Sequence, residues 1–310
     1  MKGYKAFDKG LICKGKQYKE NETFEEERAV PCHIGMHFCK NPFDVLNFYD
    51  LVDENGEFSD FAEVEAPDDA EVKTDDNIKY CTTKLKIGAK FSFAGFIKAC
   101  VDFVIEKTQT EKQDSGDSAQ IGSSGDSAKI GSSGDSAKIG SSGYYAKIGS
   151  SGDSAQIGSS GDYAKIGSSG HSAKIGSSGD SAQIGSSGDS AKIGSSGHSA
   201  KIGSSGHSAQ IGSSGDSAQI GSSGDSAQIG SSGDSAKIGS SGYDSVICCA
   251  GDNSCVSAKK GSWITLAEWG YSYEKGRYAP KCVKTEYVDG ERIKEDTMYK
   301  LIDGEFTEVE

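Results

Sequence analysis

Gly116-Asp117-Ser118-Ala119-Gln120-Ile121-Gly122-Ser123-Ser124 opens an array of fourteen consecutive nonapeptides that runs to Ser241. Isoleucine recurs at every ninth residue from Ile121 to Ile238. A short fixed period of this kind describes units that cannot bury an apolar face alone and must stack on their neighbours, which is a solenoid. Within one unit Ala119 and Ile121 flank Gln120 in the alternation of a strand, and Ser123 through Asp126 carries turn chemistry. The alternation predicts Ala and Ile inside and Lys or Gln outside, with only Ala and Ile filling a thin core.

Nine residues at about 3.3 Å each are too few to make two turns and still enclose an interior. Two nonapeptides per coil give a flat parallel β-solenoid of two sheets, with coils about 4.8 Å apart. The substitutions in the array agree with an 18-residue coil: Tyr145 and Tyr163 both replace the common Ser and stand 18 apart, which stacks them as neighbours. The same parity sorts the fifth repeat position. One face receives Lys129, Lys147, Lys165, Gln183, Lys201, Gln219 and Lys237; the other receives Gln120, Lys138, Gln156, Lys174, Lys192, Gln210 and Gln228. The first face is the more basic and is expected to hold Tyr144, Tyr145 and Tyr163, so Tyr144, Tyr145, Tyr163, Lys129, Lys147 and Lys165 form the favoured binding surface.

The net charge of −13 is unevenly spread. Ten Asp and eight Lys leave the repeats at −2, so the flanks carry −11, and eleven acids with a single Lys lie between Asp53 and Asp76. This balance argues against direct binding of nucleic acid. The run, with Asp53, Glu54, Glu57, Asp60, Asp68, Asp69, Asp75 and Asp76, is the alternative interaction surface. Nine cysteines, an odd number without a framework spacing, suggest a reduced, cytoplasmic protein of a host cell, and no apolar segment is long enough to span a membrane. The order of Cys32, His33, His37 and Cys39 matches no common zinc spacing, so neither a metal nor another cofactor is expected. A calcium β-roll also uses nonapeptides in pairs but requires paired glycines and a constant Asp. Here one Gly precedes the Asp, which gives way to Tyr144, His171, His198 and His207. An ice-binding array is excluded by the missing Thr ladders.

The expected fold is therefore mainly β: a solenoid over residues 116–259, whose last two repeats, begun by Gly242 and Gly251, are decayed, between a small α+β domain (1–92) and a small β cap (260–310). Strands are expected at Lys2–Phe7, Met36–Cys39, Phe61–Glu65 and Thr82–Phe91, and a short helix at Pro42–Tyr49 with Asn41 as its cap. Phe93, Phe96, Ile97, Cys100, Phe103 and Val104 share one helical face, and that helix, with a linker to residue 115, is expected to cap the open end of the solenoid. Asp289-Gly290 and Asp303-Gly304 read as hairpin turns of the cap.

The run Lys2-Gly3-Tyr4-Lys5-Ala6-Phe7, the segment Gly35-Met36-His37-Phe38-Cys39-Lys40-Asn41-Pro42-Phe43-Asp44-Val45-Leu46 and Phe61-Ala62-Glu63-Val64-Glu65 resemble an uncharacterised domain family encoded largely in phage and prophage genomes. The segment Gly261 to Trp269 resembles a tail found with such domains. The resemblance implies a phage accessory protein and no particular activity. The resulting expectation is a non-enzymatic scaffold that binds and inhibits a host protein, such as a bacterial defence protein; the exposed strand edges of the solenoid also admit a homo-oligomer. A structural spacer or virion component is one alternative. An ADP-ribosyltransferase-like N-terminal enzyme is the other, suggested by Gly35 to Phe38 with Glu63 or Glu65 as carboxylate, although no accompanying Arg or Ser-Thr-Ser pattern occurs.

Overall fold

The computed structural model describes residues 1–51, 58–108, 113–114 and 116–309. Its centre is the two-sheet parallel solenoid, with every strand paired to the strand 18 residues later: Ile139 on Ile157 on Ile175 in one sheet, Ile148 on Ile166 on Ile184 in the other. The decayed repeats stay in register, Val246–Cys249 and Cys255–Ser257 adding one strand to each sheet and making about eight coils. Ala and Ile are buried in every unit from Ala137 to Ile238, as alternation requires, while Ile121 and Ala128 at the start of the array are partly buried. The core has a third component that the sequence reading omitted. Each four-residue strand, such as Lys174–Ser177, ends on a Ser two places after the Ile, so that Ser177 and its equivalents point inward and are buried as well.

Two other repeat positions have equally local reasons. A Cβ on Gly170 would lie 1.8 Å from the carbonyl oxygen of Gly152 one coil earlier, so the first position admits only Gly. The Asp at the second position accepts a backbone N–H from the next coil. Asp162 Oδ1 takes that of Asp180 and Asp180 Oδ1 that of His198, each at 2.8 Å. These carboxylates extend the hydrogen-bonded ladder through the turns, where strand pairing has stopped.

The N-terminal domain is built on a sheet of seven strands among the described residues, in spatial order 23–25, 84–91, 60–65, 2–7, 36–39, 79–82 and 72–73. Pro42–Asn47 forms one 3₁₀ segment, capped as expected by Asn41, whose Oδ1 accepts the Phe43 N–H at 3.0 Å. At the other end the hairpin Trp263–Ser272/Arg277–Tyr287 closes one solenoid sheet and the hairpin Tyr299–Ile302/Glu305–Glu308 the other. Asp303 and Gly304, both with positive φ, make the second hairpin turn. Asp289-Gly290 does not make a hairpin turn: Asp289 Oδ1 accepts the N–H groups of Glu291, Arg292 and Ile293 and so opens a loop that crosses to the other sheet.

The helix Phe93–Thr108 exists, but it does not cap the solenoid end. It lies along one sheet, against five consecutive strands from Lys129–Ser132 to Lys201–Ser204. Four coil spacings of about 4.8 Å make about 19 Å, which a 16-residue helix of about 24 Å covers. The end of a thin two-sheet stack could not bury so long an apolar stripe. Phe96, Ile97 and Cys100 are fully buried, with Phe43, Leu46, Leu51 and Phe61 beside them. The sheet accepts the helix because its outward third strand position is Gly: a Cβ on Gly203 would stand 2.4 Å from Ile97 Cδ1, and one on Gly221 2.7 Å from Phe58 Cε1. We call this the docked sheet and the opposite one the open sheet.

Replacing Ile175 with Asp should place a charge between the sheets at a cost of several kcal/mol and abolish the folded solenoid, whereas Lys174→Asp, an exposed change, should be mild in a chemical denaturation series. Gly203→Val should destabilise by about 1–3 kcal/mol through overpacking against Ile97 and increase protease nicking of the N-terminal domain. Gly194→Val, whose added Cβ meets nothing within 4 Å on the open sheet, should be neutral or slightly stabilising; equal losses for the two would contradict the docking geometry.

Candidate functional site

The basic face favoured by the sequence is the docked sheet, and it is occupied from within the chain. Lys165 pairs with Asp44, its side chain only 12 % exposed. Gln183 Nε2 donates to Asn47 Oδ1 at 2.9 Å, Lys201 Nζ to the Leu46 carbonyl at 2.6 Å, and Gln219 Nε2 to Asp50 Oδ1 at 2.7 Å. Burial of Lys201 lowers its pKa, which Asp50 partly offsets. Lys129 and Lys147 lie half-buried on the same sheet under the helix. Lys165, Gln183, Lys201 and Gln219 therefore recognise the 3₁₀ segment and the residues just after it rather than a free partner.

Tyr144, Tyr145 and Tyr163 do form one cluster, with ring centroids 5.2 Å apart for Tyr145 and Tyr163 and 5.8 Å for Tyr144 and Tyr145. They occupy turns, Tyr145 and Tyr163 with φ of 55° and 56°, so the cluster stands on the edge of the solenoid and not on the flat face with the lysines. All three are about half exposed, and the Tyr144 hydroxyl engages Asp162, which holds that carboxyl below its ordinary range.

The acidic stretch is not one surface. Asp60 is buried and accepts the N–H groups of Gly10 and Leu11 at 2.8 and 3.0 Å while pairing with Lys90. Asp69 pairs with Lys84, and Asp76 Oδ1 holds its own turn through the N–H groups of Ile78 and Lys79. Asp68 and Asp75 are exposed, and Asp53, Glu54 and Glu57 lie outside the described residues. Glu63 and Glu65 point to water and line a small cleft with Lys2 and Lys86, whereas His37 lines a different one; the structure does not bring these three together.

Among the described residues, what stays uncovered is the open sheet. Its glycines at 122, 140, 158, 176, 194, 212 and 230 have nothing within 4 Å of an added Cβ, and they floor a long shallow trough of about 1430 Å³. One wall is the row Gln120, Lys138, Gln156, Lys174, Lys192, Gln210 and Gln228. That row continues in register through Val246, Trp263 and Tyr287, which are 54, 50 and 40 % exposed. Trp263 and Tyr287 touch, with ring centroids at 5.1 Å, and the thiol-bearing Cys248 takes the glycine position beside Val246. Among the described residues Lys138, Lys174 and Lys192 have no carboxylate partner. The result is a basic strip with an apolar end, on a strongly acidic chain. Sequence parity identified the strip's residues but favoured the other face, with the acidic run as the alternative; the signal for its vacancy, an apolar helix stripe that needs a long glycine-floored partner, was present only on the helix.

A second concavity, of about 820 Å³, lies in the N-terminal domain where the strands Lys2–Phe7 and Met36–Cys39, paired only at Tyr4 and Cys39, splay apart. Lys5, Cys13, Tyr49 and His37 line it. Lys5 Nζ donates to the His37 carbonyl at 3.1 Å and to Cys13 Sγ at 3.4 Å, and Cys13 Sγ stands 2.7 Å from the Tyr49 hydroxyl.

The chain is thus a parallel β-solenoid protein whose N-terminal domain folds back along one sheet and, among the described residues, leaves the other bare. Residues 1–99, which include that domain and the start of the helix, match the model of a family described as a domain of unknown function, DUF7666. No curated protein and no solved structure matches the chain.

His37 supplies a pH test. Burial, with Lys79, Lys5 and Lys14 nearby, lowers its pKa to about 4, against about 6.5 for an unfolded histidine. Between about pH 6.5 and 4 the unfolded chain holds a proton that the folded one does not, so stability should fall as pH is lowered through that window. His37→Gln should flatten this part of a stability-against-pH curve; an unchanged slope would assign the acid sensitivity elsewhere.

Proposed function

We propose that this protein is a binding scaffold whose open sheet docks a protein partner presenting an acidic amphipathic helix. The observation that carries the reading is internal: the docked sheet, made of the same nonapeptide, already holds an amphipathic helix, with the acidic residues of the 3₁₀ segment and the loop after it alongside. It does so by glycines that let Ile97, Phe93 and Phe58 approach and by lysines that pair with Asp44 and Asp50. The open sheet offers the same glycine floor and three unpaired lysines, and it adds Val246, Trp263 and Tyr287 as an apolar anchor. Aromatic anchors at the end of a complementary charged strip are what concentrate affinity and orientation in a protein interface.

The resemblance of the N-terminal segments to phage-encoded domains supports an accessory role directed at a bacterial host protein, with inhibition by occupancy and no chemical step. Such a protein acts in the host cytoplasm, and among the described residues no helix is long and apolar enough to cross a membrane. A spacer role is less well supported, because the N-terminal domain lies beside the coils, so adding coils would not separate it from the solenoid.

The test is comparative capture from a bacterial lysate with three proteins: wild type, an open-sheet variant (Lys138→Glu, Lys174→Glu, Lys192→Glu, Trp263→Ser) and an edge variant (Tyr144→Asp, Tyr145→Ser, Tyr163→Ser). The open-sheet variant should weaken a specifically retained protein roughly tenfold or more, and the edge variant should retain it. The reverse pattern would move the site to the tyrosine edge, and loss with neither would move it to the N-terminal domain.

A further inference from the structure

Lys5 is an unusual group for the interior of this domain. Only 3 % exposed, it has no carboxylate partner among the described residues. Its neighbours are a thiol, a backbone carbonyl and the rings of Phe7, Tyr18 and Tyr49, with centroids at 5.2, 5.9 and 5.8 Å. A buried ammonium without a counter-ion is costly, and burial accordingly lowers the pKa of this amine, against a smaller opposing effect of Cys13. The titratable groups facing it are Cys13, Cys39, Lys14, Tyr18, Tyr49 and His37. An amine whose charged form is disfavoured by burial, and which lines a cleft, is placed to act as a nucleophile through its neutral form. Lys14 and Lys79 stand on the rim of the cleft; of its three acids, Glu26 pairs with Lys16 and Asp50 with Gln219 and Lys201 of the solenoid, and Asp8 is exposed, so the two lysines outnumber the one acid not engaged by these contacts.

We propose that this cleft captures a small carbonyl compound bearing an anionic group, with the Lys5 amine forming an imine to its carbonyl carbon. The nitrogen lone pair adds to the carbonyl carbon, the nitrogen gives up a proton and the oxygen gains one, forming a carbinolamine. Departure of that hydroxyl as water, with loss of the second amine proton, leaves the neutral imine. Cys13 Sγ, within 3.4 Å of the amine and 2.7 Å of the Tyr49 hydroxyl, is placed to carry the proton from nitrogen to oxygen. Lys14 and Lys79 hold the anionic group at the mouth. No oxidant or reductant is required, and the step is reversible by water.

The full-length protein is incubated near neutral pH with pyridoxal 5′-phosphate, an aldehyde carrying a phosphate, then reduced with borohydride and mapped by peptide mass. Lys5 should be labelled roughly tenfold or more faster than exposed Lys138, Lys174 and Lys192, which have no cleft to hold the phosphate beside the amine. 5′-Deoxypyridoxal, which lacks the phosphate and cannot close an internal hemiacetal, should react at Lys5 roughly fivefold or more slowly, through loss of charge attraction at the rim. Lys5→Arg should lose the label, and the wild-type map decides the question even where that variant fails to fold. Label spread over the exposed lysines with Lys5 unmodified, or equal rates for the two aldehydes, would overturn the proposal.

Discussion

In-register pairing of each residue with the residue 18 positions later is the constraint on which the rest of this molecule depends. Once Ile stacks on Ile, every other repeat position is forced into a column, and each column has one physical task. Turn glycines let successive backbones approach where a Cβ would meet a carbonyl oxygen at about 2 Å. The Asp column carries hydrogen bonding through the turns, and the small inward Ser allows two short-stranded sheets to close over Ala and Ile. A column repeats its cost as well as its benefit, which is why substitutions concentrate at positions two, three and five, where side chains point outward.

The outward glycines turn this regular object into a surface that can be used. A β-sheet face with glycine in alternate outward positions is unusually flat, so a helix can lie close to the backbone and fill the trough with its own side chains. One trough is filled by the chain itself through Phe93, Ile97 and Phe58, and Lys165, Lys201, Gln183 and Gln219 act as pins that set where the domain sits along the coils. The same chemistry is repeated, unfilled, on the other face. Docking also reaches the N-terminal cleft, because Asp50, which lines it, is held by Gln219 and Lys201 of the solenoid.

Much of this was legible in the sequence. The period of nine, the two-repeat coil and the stacking of Tyr145 on Tyr163 follow from residue spacing, since strand alternation and coil closure leave no other arrangement. Lys2–Phe7 and Met36–Cys39 are read to the residue, and Asn41 caps its segment, because local hydrogen bonding and alternation decide those elements. The two-residue turn at Asp303-Gly304 was legible for the same reason, whereas Asp289-Gly290 carries the same dipeptide into a loop because the next strand belongs to the opposite sheet.

Tertiary structure alone decided where the helix goes, and with it which face is free. The apolar stripe through Phe96, Ile97 and Cys100 states that the helix must be buried against something, but both sheets present the same glycine floor, and a one-dimensional pattern cannot choose between them. The choice rests on non-local pairs such as Asp44 with Lys165 and Asn47 with Gln183, separated by more than a hundred residues. The Lys5 cleft is of the same kind: a lysine in an alternating strand reads as solvent-facing until the hairpin bearing Cys13 and the loop bearing Tyr49 close over it. Repetition determines the solenoid from the sequence upward, because each coil repeats the same local physics. The sites arise where the repetition meets what is not repeated, and that meeting exists only in three dimensions.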